Sequence, residues 1–134
     1  LIPLRFTEKN VLLYLYRPAW LRRDLSDETA CEVLREAGYT RSDCGSCLAQ
    51  LMRRMQRADS EFPHEVGLFL SYPPEDVKGF IDNEAANYKY IGLWKVYGDE
   101  EGTKRTFARD KKCTELYCKL WQNGSSLEQL AVAI

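Results

Sequence analysis

The chain has 134 residues, of which 45% are apolar and 29% charged, with a formal net charge of −1. That is enough apolar material for one domain over residues 1–134 with an ordinary core. The balanced charge gives no field to draw nucleic acid or an anionic membrane, and no apolar run approaches the roughly 20 residues of a membrane span.

In "LIPLRF", Ile2, Leu4 and Phe6 alternate with Pro3 and Arg5, which is a strand pattern. Pro3 has no N–H to donate, so this strand belongs at a sheet edge. With a strand that begins at once, the natural N-terminus is expected upstream of Leu1. After the polar loop "TEKN", the run "VLLYLY" is apolar on both faces and predicts an interior strand in an antiparallel hairpin. Arg17-Pro18 ends it. Ser26 is placed to cap a helix with Asp27 and Glu28 in its first turn, a stripe of Ala30, Val33, Leu34 and Ala37, and Gly38 as its stop. Asp43 is placed to cap a second helix with the stripe Leu48, Leu51, Met52 and Met55. Arg53, Arg54 and Arg57 fall mostly off that stripe.

"VGLFLSY" (66–72) is again apolar on both faces and predicts another interior strand. Pro73-Pro74 opens a short helix that runs to about Asn83. "YKYIGLWKVY" (88–97) predicts the last strand, and Gly98-Asp99 opens the longest helix, from Asp99 to Gln122. Asn123-Gly124 ends it, and Ser125 with Glu128 forms a capping box for a final short helix. The order β-β-α-α-β-α-β-α-α predicts an α/β, α+β-like domain: a mixed sheet of about four strands with helices packed on it. The unit from Val66 to Tyr97 is expected as a parallel, right-handed crossover.

The blocks "FPHEVGLFLSYPPEDVKGFI", "GLWKVYGDEE" and "KKCTELYC", in that order, resemble a bacterial domain-of-unknown-function family, number 3793, along nearly the whole chain. The resemblance implies a source among anaerobic Gram-positive bacteria and a further N-terminal segment with a His-Cys pair. It brings no activity, substrate or catalytic residue. It also implies a setting in redox or iron physiology, from flavodoxin and ferrous-iron transport genes nearby.

Candidate chemistry is sparse. The one histidine, His64, adjoins Glu65, but neighbours on a strand point to opposite faces, and His64 lies at the end opposite to where ligands of parallel strands collect. The pair therefore reads as a strand entry. "DCGSC" places Cys44 and Cys47 at a helix start, where a thiol pair can be redox-active. Both stand four residues before stripe positions, so buried inert thiols are the preferred reading and a redox pair the alternative. Cys113 and Cys118 are turned about 140° apart on a helix, which with a single histidine argues against a metal site. Five cysteines, an odd number, predict reduced thiols and a cytoplasmic protein. Tyr88, Tyr90, Trp94 and Tyr97 interleaved with Lys89 and Lys95 suit base stacking, yet suit a strand core better. Phosphate-binding and hydrolase motifs are absent from the sequence.

Two functions of different class remain. The preferred one is a soluble binding or accessory module, with a protein partner or small polar ligand. The alternative is a small enzyme taking a polar or anionic ligand at the carboxyl ends of two parallel strands. There Ser71 and Tyr72 would lie beside Tyr97, Gly98 and Asp99, where two helix N-termini emerge. No cofactor is indicated.

Overall fold

The computed structural model describes residues 1–40, 43–57 and 61–132. Where one domain is the sequence expectation, the chain divides into two compact units, Leu1–Asn87 and Tyr88–Ile134.

The first unit opens with β1 (Ile2–Phe6) and β2 (Val11–Tyr14), paired antiparallel as expected. They form a two-stranded sheet, so β2 is not an interior strand. Tyr14 is buried, whereas Val11, Leu12 and Leu13 remain about half exposed. Helices follow as α1 (Pro18–Leu25), α2 (Glu28–Glu36) and α3 (Cys44–Gln56). Pro18 opens α1, because its fixed φ suits a first helical turn. The cap of α2 is Asp27, not Ser26: its carboxylate accepts from the Ala30 N–H. Asp43 caps α3 as expected, accepting from the Ser46 N–H at 2.9 Å.

The predicted stripes are buried. Ala30, Val33 and Leu34 of α2 and Leu48, Leu51 and Met55 of α3 join Leu4, Leu21, Leu25, Leu68 and Phe69 in one core. At the end of α2, Gly38 takes φ +88°, a left-handed conformation that costs glycine nothing. The Tyr39 N–H then bonds back to the Leu34 carbonyl at 2.9 Å, and Gly38 to Arg35 at 3.0 Å. This helix-ending turn drives Tyr39 into the core.

The strand expected at 66–72 is a helix, α4 (Val66–Phe69), followed by α5 (Pro74–Asp82). A short apolar run does not distinguish a buried strand from a buried helical turn. Here Leu68 and Phe69 are both buried, and one helical turn points adjacent side chains into one core where a strand would separate them. Gly67 permits it, since a Cβ there would lie 2.9 Å from the Tyr72 ring and from Val77.

In the second unit the expected long strand is a small hairpin, β3 (Tyr90–Ile91) and β4 (Lys95–Val96), paired antiparallel. Gly92 makes the fold-back. Its Cα approaches Phe107 so closely that a Cβ would lie 2.4 Å from the ring. With 66–69 helical and 95–96 paired to 90–91, the described residues form neither the four-stranded sheet nor the parallel crossover. What stands is a mixed α and β chain with two-stranded sheets. The long helix α6 (Glu100–Gln122) is as expected, with Asp99 accepting from the Gly102 N–H at 3.0 Å. The capping box of α7 (Leu127–Val132) falls one residue later than expected. Ser126 Oγ accepts from the Gln129 N–H, and Gln129 Oε1 accepts from the Ser126 N–H.

Candidate functional site

One buried polar centre of the first unit is Glu65, only 5% exposed. One of its oxygens, Oε1, accepts from Tyr39 Oη at 3.1 Å and from Arg54 Nη1 at 3.2 Å. Arg54 also lies over the Tyr39 ring at 4.8 Å, and its Nη2 donates to the Ala37 carbonyl. Burial, then the charge of Glu65 and its hydrogen bond, raise the Tyr39 hydroxyl far above the ordinary tyrosine range, and Arg54 opposes the shift only in part. The three side chains form one hydrogen-bonded and stacked unit.

Arg54 is also one wall residue of a cleft of about 410 Å³, lined by Thr40, Gln50, Arg53, Arg54, Arg57, Glu61 and Pro63. Three of these, 50, 53 and 54, lie at helical spacing on the face of α3 that its apolar stripe leaves outside, and Arg57 is the extended residue that follows the helix. Gln50 donates from Nε2 to the Gly38 carbonyl at 2.8 Å, which ties this wall to the turn that buries Tyr39. Among the described residues Arg53 has no partner. Glu61 is on the cleft lining; its Oε1 is 3.9 Å from Nε2 of the half-exposed His64, whose ring tilts on Phe80. His64 and Glu65 thus part company, one towards the surface and one into the core. The sequence reading separated them correctly, although the strand it assumed there is absent.

A second cleft of about 300 Å³ lies in the same unit, lined by Arg23, Asp24, Asp27, Leu68, Ser71, Tyr72 and Pro74. Two of the expected site residues, Ser71 and Tyr72, are therefore together in a cleft. The other three, Tyr97, Gly98 and Asp99, belong to the second unit, and the parallel strands that were to align the five are not there. Each has a local structural task. Ser71 takes φ 59° as the left-handed residue after α4, and the Tyr72 N–H bonds back to the Gly67 carbonyl at 3.0 Å. Ser71 Oγ donates to Asp24 Oδ2 at 2.5 Å, while Asp24 Oδ1 accepts from Arg23. Tyr97 is half-buried and its hydroxyl is pushed up by burial and by Tyr88. The Gly98 carbonyl accepts from Lys89 Nζ at 2.9 Å, and Asp99 caps α6.

The conformation of Ser71 sets an expected result. Ser71→Gly relieves a left-handed penalty of about 1 kcal/mol and loses an exposed hydrogen bond of similar worth, so urea stability stays within about 0.5 kcal/mol. Ser71→Val places a branched side chain in the same conformation and costs about 1–2 kcal/mol. A large loss in the glycine variant would mean that the hydroxyl itself holds the cleft.

Cys44 and Cys47 occupy the first turn of α3 as expected. Cys47 is 1% exposed, and burial, then Asp43, Cys44 and Cys31, push its thiol up, opposite to the lowering that a redox thiol needs. Cys113 and Cys118 are exposed on α6. Among the described residues, no group of three or more His, Cys, Asp or Glu could hold a metal ion. The aromatic block of the second unit serves that unit's own packing: Trp94 meets Phe107 edge-on at 4.5 Å, Tyr90 lies 6.3 Å from it, and Lys95 covers Tyr88. No described helix is long and apolar enough to cross a membrane.

The arginine cleft escaped the sequence reading, which placed Arg53, Arg54 and Arg57 mostly off the apolar stripe and gave them no role. The available signal was the spacing of Arg53 and Arg54 with Gln50 on one face.

A family model described as protein of unknown function, DUF3793, matches residues 1–131. No curated protein and no solved structure matches the chain.

Proposed function

We propose that the chain, which belongs to the DUF3793 family of proteins of unknown function, is a binding module whose first unit takes a small oxyanion in the arginine cleft. One observation carries this reading: three arginines, Arg53, Arg54 and Arg57, are among the residues that line a single cleft of about 410 Å³. The size is in the range of small-ligand pockets, roughly 300–1,000 Å³. Guanidinium forks match the planar oxygen pairs of carboxylate and phosphate, and Arg54 is held in place beforehand by Glu65 and Tyr39. Basic residues in the last turn of α3 also complement its dipole. That role asks only for charge, whereas a recessed cleft faced by Thr40 and Pro63 goes further. Among its described lining residues the cleft pairs no nucleophile with an adjacent base, so binding is favoured over catalysis.

Titration of the full chain with inorganic phosphate, followed calorimetrically, tests the proposal. Arg53→Glu is expected to weaken binding at least tenfold with an unchanged circular dichroism spectrum, because Arg53 is exposed. Equal affinity in the variant, or no binding of phosphate or malonate at millimolar concentration by the parent, would overturn it.

A further inference from the structure

We infer that the outer face of the β1–β2 hairpin is an interface between two copies of this chain, packed face to face about a twofold axis. The run "VLLYLY" is apolar on both faces, a pattern that belongs to a strand covered on both sides, yet its sheet has two strands only. The inner face is accounted for. Leu4 and Tyr14 are buried there, and Ile2 and Tyr16 pack against the core. Tyr14 and Tyr16 stack at 5.0 Å, so the alternation runs on past the end of β2.

The outer face has no such cover. Cross-strand partners share a face, so the pairs Pro3–Leu13 and Phe6–Val11 stand together on it, and the alternation adds Leu15. Phe6 is 62% exposed, Leu15 58%, and Val11 and Leu13 50% each. None of the five carries a charge, and β2 has none of the lysines or prolines that keep an exposed strand single.

Area and charge identify the occupant. These side chains present on the order of 500 Å² per copy, hence roughly 1,000 Å² for a facing pair, which is where specific interfaces begin. A twofold contact lays the same residues of each copy against each other, and an uncharged patch repels no copy of itself. It gives a strongly charged partner nothing to pair with. Pairing two copies through the open edge of β2 would leave this face in water, whereas two sheets packed about 10 Å apart cover it on both copies.

Sedimentation equilibrium of the full chain over roughly 1–300 μM, the span of weak to moderate self-association, tests this. The parent is expected to reach twice the chain mass. Leu13→Lys is expected to weaken association at least thirtyfold with an unchanged circular dichroism spectrum, because the position is exposed. Leu13→Ser, a milder change, is expected to weaken it at least fivefold and keeps the test open should the lysine variant not fold. Leu116→Lys, at an exposed apolar position of α6, is expected to leave the dimer intact. A parent that stays monomeric, or a dimer that survives the Leu13 variants, would overturn the inference. So would a dimer that Leu116→Lys breaks as readily as Leu13→Lys.

Discussion

Replacing Glu65 with alanine is expected to lower the stability of the first unit by about 2–3 kcal/mol. The carboxylate is buried and serves two donors at once, Tyr39 Oη and Arg54 Nη1. Its loss leaves the Tyr39 hydroxyl, on a residue 7% exposed, with no acceptor in the core. It also releases a guanidinium that loses its carboxylate while the Ala37 carbonyl and the Tyr39 ring stay in place. The Arg54 side chain is 31% exposed, so solvent recovers part of that second loss and the estimate lies at the low end for a broken buried pair. Glu65→Gln keeps an acceptor for Tyr39 and discards only the charge, at about 1 kcal/mol. Tyr39→Phe should cost a similar amount. Urea midpoints at constant slope measure all three. Were alanine and glutamine to cost the same, the hydrogen bond to Tyr39 would have no part in the effect. The variants also bear on the cleft, because a loosened Arg54 leaves one wall unfixed.

Helix ends were legible because they are local chemistry. Asp43, Gly38 and Asp99 each act within a few residues of themselves, and each does in the structure what its type and position predict. Even the misses at caps are one-residue shifts: Asp27 for Ser26, and Ser126 with Gln129 for Ser125 with Glu128. The strands failed for a different reason. "VGLFLSY" and "YKYIGLWKVY" are rich in residues that suit a pleated, half-buried surface, but that preference is mostly a preference for neighbours. Gly67 admits Tyr72 and Val77, and Gly92 admits Phe107; neither neighbour could be named from the sequence. With the strands went the premise that aligned Ser71 and Tyr72 with Tyr97, Gly98 and Asp99.

The polar centre was illegible for the same physical reason. Tyr39 and Glu65 are 26 residues apart, and Arg54 and Glu65 are 11 apart. Neither separation has a periodicity that a sequence pattern reveals. The expectation for Glu65 concerned only its neighbour His64, when its partners lie on the turn after α2 and on α3. A polar or anionic ligand was anticipated from helix N-termini. The cleft proposed for it lies instead along the basic face of one helix.

Stability is expected to fall steeply above pH 10, and Tyr39→Phe is expected to halve the slope. In an unfolded chain tyrosine titrates near 10. In the folded protein Tyr14 is pushed up to about 12, by burial first and then by Tyr16, Asp24 and Cys44, while its hydroxyl donates to the Phe69 carbonyl. Tyr39 is raised further still, by burial and then by Glu65. Both folded pKa values lie above the unfolded one, so the stabilisation is complete below pH 10. As pH rises through 10 the unfolded chain sheds these protons while the native state holds them, and the balance tips towards unfolding. Each group contributes about 1.4 kcal/mol per pH unit, hence about 2.7 for the pair, or on the order of 5 kcal/mol between pH 10 and 12. Buried Cys47, raised from 9.0, starts the decline slightly earlier. Phenylalanine at position 39 retains the ring under Arg54 but has nothing to ionise, which leaves Tyr14 to set about 1.4 kcal/mol per unit. Urea unfolding at intervals from pH 8 to 11.5, parent against variant, reads both slopes. Parallel curves would mean that Tyr39 ionises in the native state as readily as in water, and that the Glu65–Arg54 centre opens before the fold is lost.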